Sequence, residues 1–185
     1  MEGTVFAVMA PADEEEIFSM YRRAAEKGRL DGSSHWNADY PDRETLREDL
    51  ARGGVYGLKR RGRLLAVISA EGEDREITGC GAAWSPGQPW VLARLCVEPK
   101  SQGQGLARLL MERMIAEAKK EGLDTLQILA VPANAAANHL YASLGCRSLG
   151  PVRLWDTDFL TYEYPLGGNG SLLQMPENNA KMKTN

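Results

Sequence analysis

Cysteine is scarce in this chain of 185 residues: Cys80, Cys96 and Cys146 are widely spaced and form no C-x-x-C pair. An odd, dispersed set argues against a disulfide framework and against a cysteine zinc site. No metal is expected, and a reducing compartment fits best. Long apolar runs are missing too. The longest, Leu64 to Ala70, is far short of the roughly 20 residues that cross a bilayer. The start, Met1-Glu2-Gly3-Thr4, has no basic region and is soon followed by Asp13 to Glu16. No signal peptide is expected, and the expected location is the cytoplasm. Charge of one sign is also lacking. A net charge of −3 offers no broad attraction for nucleic acid or an anionic membrane, so neither is expected as a partner. No internal repeat is visible.

What is present is ordinary for a globular chain, with 43% apolar and 25% charged residues, enough for one cored domain rather than two. Periodicity runs to about Pro165. The rest, 166–185, is polar and aperiodic and reads as a mobile extension.

Val5 to Met9 reads as the first strand. Asp13 is a candidate N-cap, with Glu16 three residues on, for a helix that Gly28 is expected to end. Leu30 to Pro41 reads as a loop holding His35, Trp36 and Tyr40. A second helix is expected from Arg43 to Arg52, stopped by Gly53-Gly54. Val55 to Leu58 and Leu64 to Ala70 form a hairpin across Arg61-Gly62. Its basic tip (Lys59, Arg60, Arg61, Arg63) has no interleaved aromatics and reads as a solvated turn. Glu71 to Pro89 reads as a long irregular connection, with Ala82-Ala83-Trp84 a strand candidate.

Trp90 to Val97 is apolar on both faces except at Arg94, as in a strand inside a sheet. A helix from about Gln104 to Glu121, a strand from Thr125 to Val131 and a helix from Asn134 to Leu144 follow. Strand–helix–strand implies a parallel crossover. Cys146 to Leu149 and Asp158 to Tyr164 read as two closing strands.

The turn Gln102-Gly103-Gln104-Gly105-Leu106-Ala107 opens the long helix. Such a turn offers backbone N–H groups to a phosphate. A Walker A loop would need Lys-Ser or Lys-Thr where Leu106-Ala107 stand. A dinucleotide fingerprint would need glycine where Arg108 stands. A plain glycine-rich turn remains the alternative at this point.

The turn matches Q/R-x-x-G-x-G/A, and downstream Asn134, Ala137, Leu140, Tyr141 and Gly145 match N-x-x-A-x-x-L-Y-x-x-x-G. With these two motifs in register, the chain resembles the GCN5-related N-acetyltransferases, the GNAT family. Cys146 departs from the aromatic usual after the final glycine. The resemblance is strong over Trp90 to Gly150 and looser over Val5 to Ala70.

The resemblance implies an α/β (α+β) fold: a mixed, largely antiparallel central sheet with splayed parallel middle strands, flanked by helices. It implies acetyl-CoA as co-substrate, held where Val91 to Val97 and Thr125 to Val131 part. Backbone N–H groups of Gln102, Gly103, Gln104, Gly105, Leu106 and Ala107 would hold the pyrophosphate. Arg108 is either a phosphate ligand or a solvated helix charge. The backbone of Leu95, Cys96 and Val97 would pair with the pantetheine arm. Asn134 and Asn138 would lie beside that arm, although Asn134 also suits a helix N-cap.

The implied reaction is direct attack of a neutral amine on the thioester, with Val97 N–H polarising the carbonyl. Tyr141 would act as general acid to the leaving sulfur; its alternative is a core aromatic. Candidate bases are Glu71, Glu73, Asp74, Glu76 and Glu98, or a water chain. His35 and His139 are poorly placed. The acceptor is a small-molecule or peptide amine, bounded by Leu30 to Tyr40, Glu71 to Pro89 and the closing strands. A homodimer is compatible with the family, and the sequence leaves it open. The other class of function is a non-catalytic acyl-CoA-binding sensor.

Overall fold

The computed structural model describes residues 3–33 and 36–167. His35 and residues 168–185, most of the expected extension, lie outside the described residues.

β1 (Thr4–Val8) leads through a 3-10 turn into α1 (Glu14–Asp31). Asp13 stands at the N-cap but does not cap. Its carboxylate instead accepts from Ala10 N–H at 2.8 Å and from Lys59 at 2.6 Å. Gly28 does not end α1. It lies buried within the helix, and the stop is Gly32, in the left-handed region. Helix packing outweighs the roughly 1 kcal/mol that a mid-helix glycine costs. α2 (Arg43–Ala51) starts at Asp42, which accepts Thr45 N–H at 2.8 Å.

β2 (Val55–Arg60) and β3 (Arg63–Glu71) form the expected hairpin, with positive φ at both Arg61 and Gly62. The connection that follows is not wholly irregular: it holds α3 (Arg75–Thr78), and the strand candidate at Ala82 to Trp84 is not a strand. Asp74 caps α3 by accepting from Glu76 N–H and Ile77 N–H. β4 (Pro89–Val97), α4 (Leu106–Lys120), β5 (Thr125–Ala130) and α5 (Ala135–Ser143) follow. β6 (Arg147–Leu154) and β7 (Thr157–Pro165) are longer than the sequence suggested.

Among the described residues, seven strands make one sheet in the order β1-β2-β3-β4-β5-β7-β6. All neighbours are antiparallel except β4 and β5, which are parallel. The fold is therefore the mixed sheet expected. Its two faces carry different cores. Leu58, Ala66, Ile68, Leu92, Leu126 and Ile128 pack with Leu110 and Met114 of α4. Ile17, Met20 and Tyr21 of α1 and Leu46 and Leu50 of α2 pack with Val67 and Cys96. Alternation along each strand sends neighbouring residues to opposite cores. Leu166 extends past β7 into the first core, its N–H donating to Asp124 at 2.9 Å.

Candidate active site

β4 and β5 pair only from Pro89–Thr125 to Leu92–Ile128. Beyond that point β4 runs on to Val97 and β5 to Ala130 without pairing to each other. The β5-side edge of Leu95 to Val97 is thereby left open, and an extended ligand can add to such an edge as a strand would.

At the end of this open edge lies the glycine turn. Gly103 has φ +76° and Gly105 φ +74°, values that suit glycine. A Cβ built on Gly103 would meet nothing within 4 Å, so the turn faces open space. Gly105 is the N-cap of α4 and brings no capping side chain. The first-turn N–H groups of α4 thus receive no capping side chain from Gly105. The helix begins at Leu106, two residues later than the sequence suggested. Gln102 Nε2 donates to Val97 O at 3.4 Å, tying the turn to the strand end. Arg108 donates to Ser143 Oγ at 2.5 Å and so bridges α4 to α5.

On α5, Asn134 caps the helix by accepting Ala137 N–H at 3.1 Å. Asn138 donates to Val131 O and Pro132 O, each at 3.2 Å. It also accepts from the Tyr162 hydroxyl at 3.2 Å. Tyr141 is buried, its ring 5.4 Å from that of Tyr162. Burial raises its phenol well above the ordinary value, with Cys146 and Tyr162 adding to the effect. Tyr141 therefore holds its proton throughout the neutral range and is able to donate a hydrogen bond there. The Cys96 thiol is also buried, and burial raises it further, so it stays protonated in the core.

The carboxylates named as bases are mostly occupied. Glu71 accepts from Arg52 at 3.2 Å. Glu76 accepts from Trp155 Nε1 at 3.0 Å. Glu98 is held by Arg23 through three contacts, the shortest 2.5 Å. Asp74 is the α3 cap, and Glu73 lines a small cavity with Pro89 and Trp90 at the paired end of β4. His139 is exposed on α5.

Two buried acids escaped the sequence reading. Glu163 on β7 is fully buried. It accepts from Ser85 N–H at 2.7 Å, from Ser85 Oγ at 3.0 Å and from Arg147. This fastens the connection between β3 and β4 to the sheet. Asp49 on α2 accepts from Arg94 Nε at 2.7 Å and Nη2 at 2.9 Å. Burial opposes the Arg94 charge, but Asp49, Tyr40 and Tyr21 together outweigh it, and the guanidinium is held more firmly protonated than usual. The available signal was a lone arginine, Arg94, in an apolar strand; Asp49 follows Glu48 and does not stand out in the sequence.

The family model for the acetyltransferase (GNAT) family matches residues 15–146. The chain belongs to this family. The [ribosomal protein bS18]-alanine N-acetyltransferase of Escherichia coli K12 is 46% identical over 55 residues. That match spans 30% of this chain and 37% of the relative, so it covers little more than a third of the curated protein. A GNAT-family acetyltransferase from Streptococcus agalactiae superimposes with a TM-score of 0.79 at 20% identity, over 89% of this chain and 96% of its own. A putative acetyltransferase from Salmonella typhimurium, solved with its cofactor acetyl-CoA, gives 0.69 at 20% identity over 91% and 97%. At such identities the likeness is one of fold.

Proposed function

We propose that this GNAT chain is a cytoplasmic N-acetyltransferase that moves an acetyl group from acetyl-CoA to a primary amine. The observation that carries the reading is one junction: the open β4 edge leads, through a 3-10 turn at Pro99–Ser101 and the glycine turn, to an α4 N-terminus with no capping side chain. A ligand with an extended amide arm and a pyrophosphate needs both features, in that order. Gly103, whose Cβ position is empty, leaves room for phosphate oxygens.

The backbone of Leu95 to Val97 holds the arm, and Gln102 to Ala107 hold the pyrophosphate. Arg108 supports this turn while bonded to Ser143. Asn134 and Asn138 shape the α5 wall of the cleft. Acetyl-CoA would supply the activated thioester. The neutral acceptor amine attacks its carbonyl, and the C–N bond forms as the C–S bond breaks. CoA leaves as the thiolate, and the proton shed by the amine passes to water. The Val97 N–H polarises the carbonyl oxygen, where donors aimed at the developing charge act most strongly. Tyr141 donates a hydrogen bond to the departing sulfur. Its raised pKa makes stabilisation of the thiolate its main service, rather than complete proton transfer. Most of the rate comes from holding amine and thioester together.

The acceptor to test first is a peptide with an N-terminal alanine, because the E. coli relative acts on ribosomal protein bS18 alanine. A second reading, a non-catalytic acyl-CoA sensor, draws support from the carboxylates engaged by Arg23, Arg52 and Trp155. Calorimetric titration with acetyl-CoA, followed by a turnover assay on alanine-terminal peptides and small amines, separates them. Binding with turnover supports the transferase. Binding without turnover on any amine favours the sensor, and no binding defeats both.

A further inference from the structure

We infer that the ion pair between Arg94 and Asp49 is a positioning device that locks the bulge of β4 and thereby sets the open edge at Leu95 to Val97. The inference rests on the acetyl-CoA reading above.

The bulge is visible in the register. Ala93 pairs with Ser69 and Cys96 with Val67, so Arg94 and Leu95 together face Ile68 alone. Arg94 adopts φ +55°, a left-handed conformation that bulges usually give to glycine. A residue with a side chain stays there only when its surroundings over-determine it. Those surroundings include Asp49, which grips the guanidinium at two atoms, Ser69, whose Oγ lies 3.3 Å from Arg94 Nε, and the Tyr40 side chain, which also bonds the guanidinium. Ser69 Oγ in turn donates to Asp49 Oδ2 at 2.6 Å. Asp49 is 1% exposed and the Arg94 side chain 9%.

The place of the lock matters. The parallel ladder ends at Leu92–Ile128, two residues before Arg94. The strand therefore turns out of its pairing with β5 where α2 and β3 take hold of it. An enclosed ion pair is a weak source of stability, since apolar side chains of similar volume serve as well. What it specifies here is one backbone path for the strand that carries the open edge.

The network also allows a clean test. Asp49 accepts from Arg52 as well, and Arg52 reaches Glu71 at 3.2 Å. Removing Arg94 therefore leaves Asp49 with a counter-charge, and the fold should survive. Arg94→Gly keeps access to positive φ but deletes the anchor. Arg94→Lys keeps the charge but not the two-pronged grip.

The experiment is calorimetric titration of parent, Arg94→Gly and Arg94→Lys with acetyl-CoA and with 3′,5′-ADP, which lacks the pantetheine arm. Expected is a tenfold or greater loss of acetyl-CoA affinity in Arg94→Gly, a smaller loss in Arg94→Lys, and 3′,5′-ADP affinity within twofold of the parent throughout. A general loosening of the fold would weaken both ligands alike, and that outcome overturns the assignment. So does acetyl-CoA affinity in Arg94→Gly within twofold of the parent. A parent that binds neither ligand overturns the acetyl-CoA reading itself, and the positioning role with it.

Discussion

The Tyr162 hydroxyl donates to Asn138 Oδ1 at 3.2 Å, so β7 ties down the helix that carries Tyr141. Asn138 also binds the two carbonyls at the end of β5. One amide thus joins α5 to β7 and to the segment that follows β5. Asn138→Ala deletes all three bonds and leaves partly buried groups without them. The expected loss is about 1–3 kcal/mol, read as a lower midpoint in urea unfolding. An unchanged midpoint would show that water replaces the side chain at no net loss.

Tyr141→Phe keeps the ring packed against Tyr162 and removes only the hydroxyl. Acetyl-CoA affinity should hold within about threefold, while kcat falls roughly ten- to a thousandfold. Because burial raises the Tyr141 phenol, it does not deprotonate at or below its ordinary value of about 10. The parent pH–rate profile should therefore show no descending limb from this group up to pH 10. Equal turnover in the two proteins would remove Tyr141 from the chemistry.

Gly105→Glu places a side chain and a negative charge at the N-cap of α4, where φ is +74°. Like charge at the phosphate site should abolish measurable acetyl-CoA binding in calorimetry. Retained affinity would move the phosphates elsewhere.

Glu163→Ala removes the acceptor for Ser85 N–H and Ser85 Oγ. Arg147 is half exposed and can turn to water. The loss should fall on the connection between β3 and β4. Limited proteolysis within 72–88 should accelerate severalfold, with a global loss of about 1–3 kcal/mol. Unchanged cleavage would mean that other contacts hold the segment.

Alkaline pH should destabilise the protein. Burial raises the Tyr21, Cys96 and Tyr141 groups in the folded state. Below about pH 8.5 both folded and unfolded Cys96 keep the proton, and nothing changes. Above it the unfolded thiol releases its proton while the folded one does not. Stability then falls by up to about 1.4 kcal/mol per pH unit for this group, and the two phenols join above about pH 10. Thermal melting in steps from pH 7 to 10.5 checks the slope. A flat midpoint would contradict it.

Element order apart from α3, the hairpin at Arg61-Gly62, the parallel crossover and the two motifs around Gly103 and Tyr141 were legible in the sequence. Each is a local pattern: alternation in strands, a helical stripe, a glycine where φ turns positive. Local patterns misled where packing overrode them, as at Gly28, buried within α1, and at Asp13, which turned to Ala10 and Lys59. Only the tertiary structure brought Arg94 to Asp49 across 45 positions and Ser85 to Glu163 across 78. A charge in the sequence does not name its partner. That choice is made when burial removes water and leaves each polar group to the nearest one able to satisfy it.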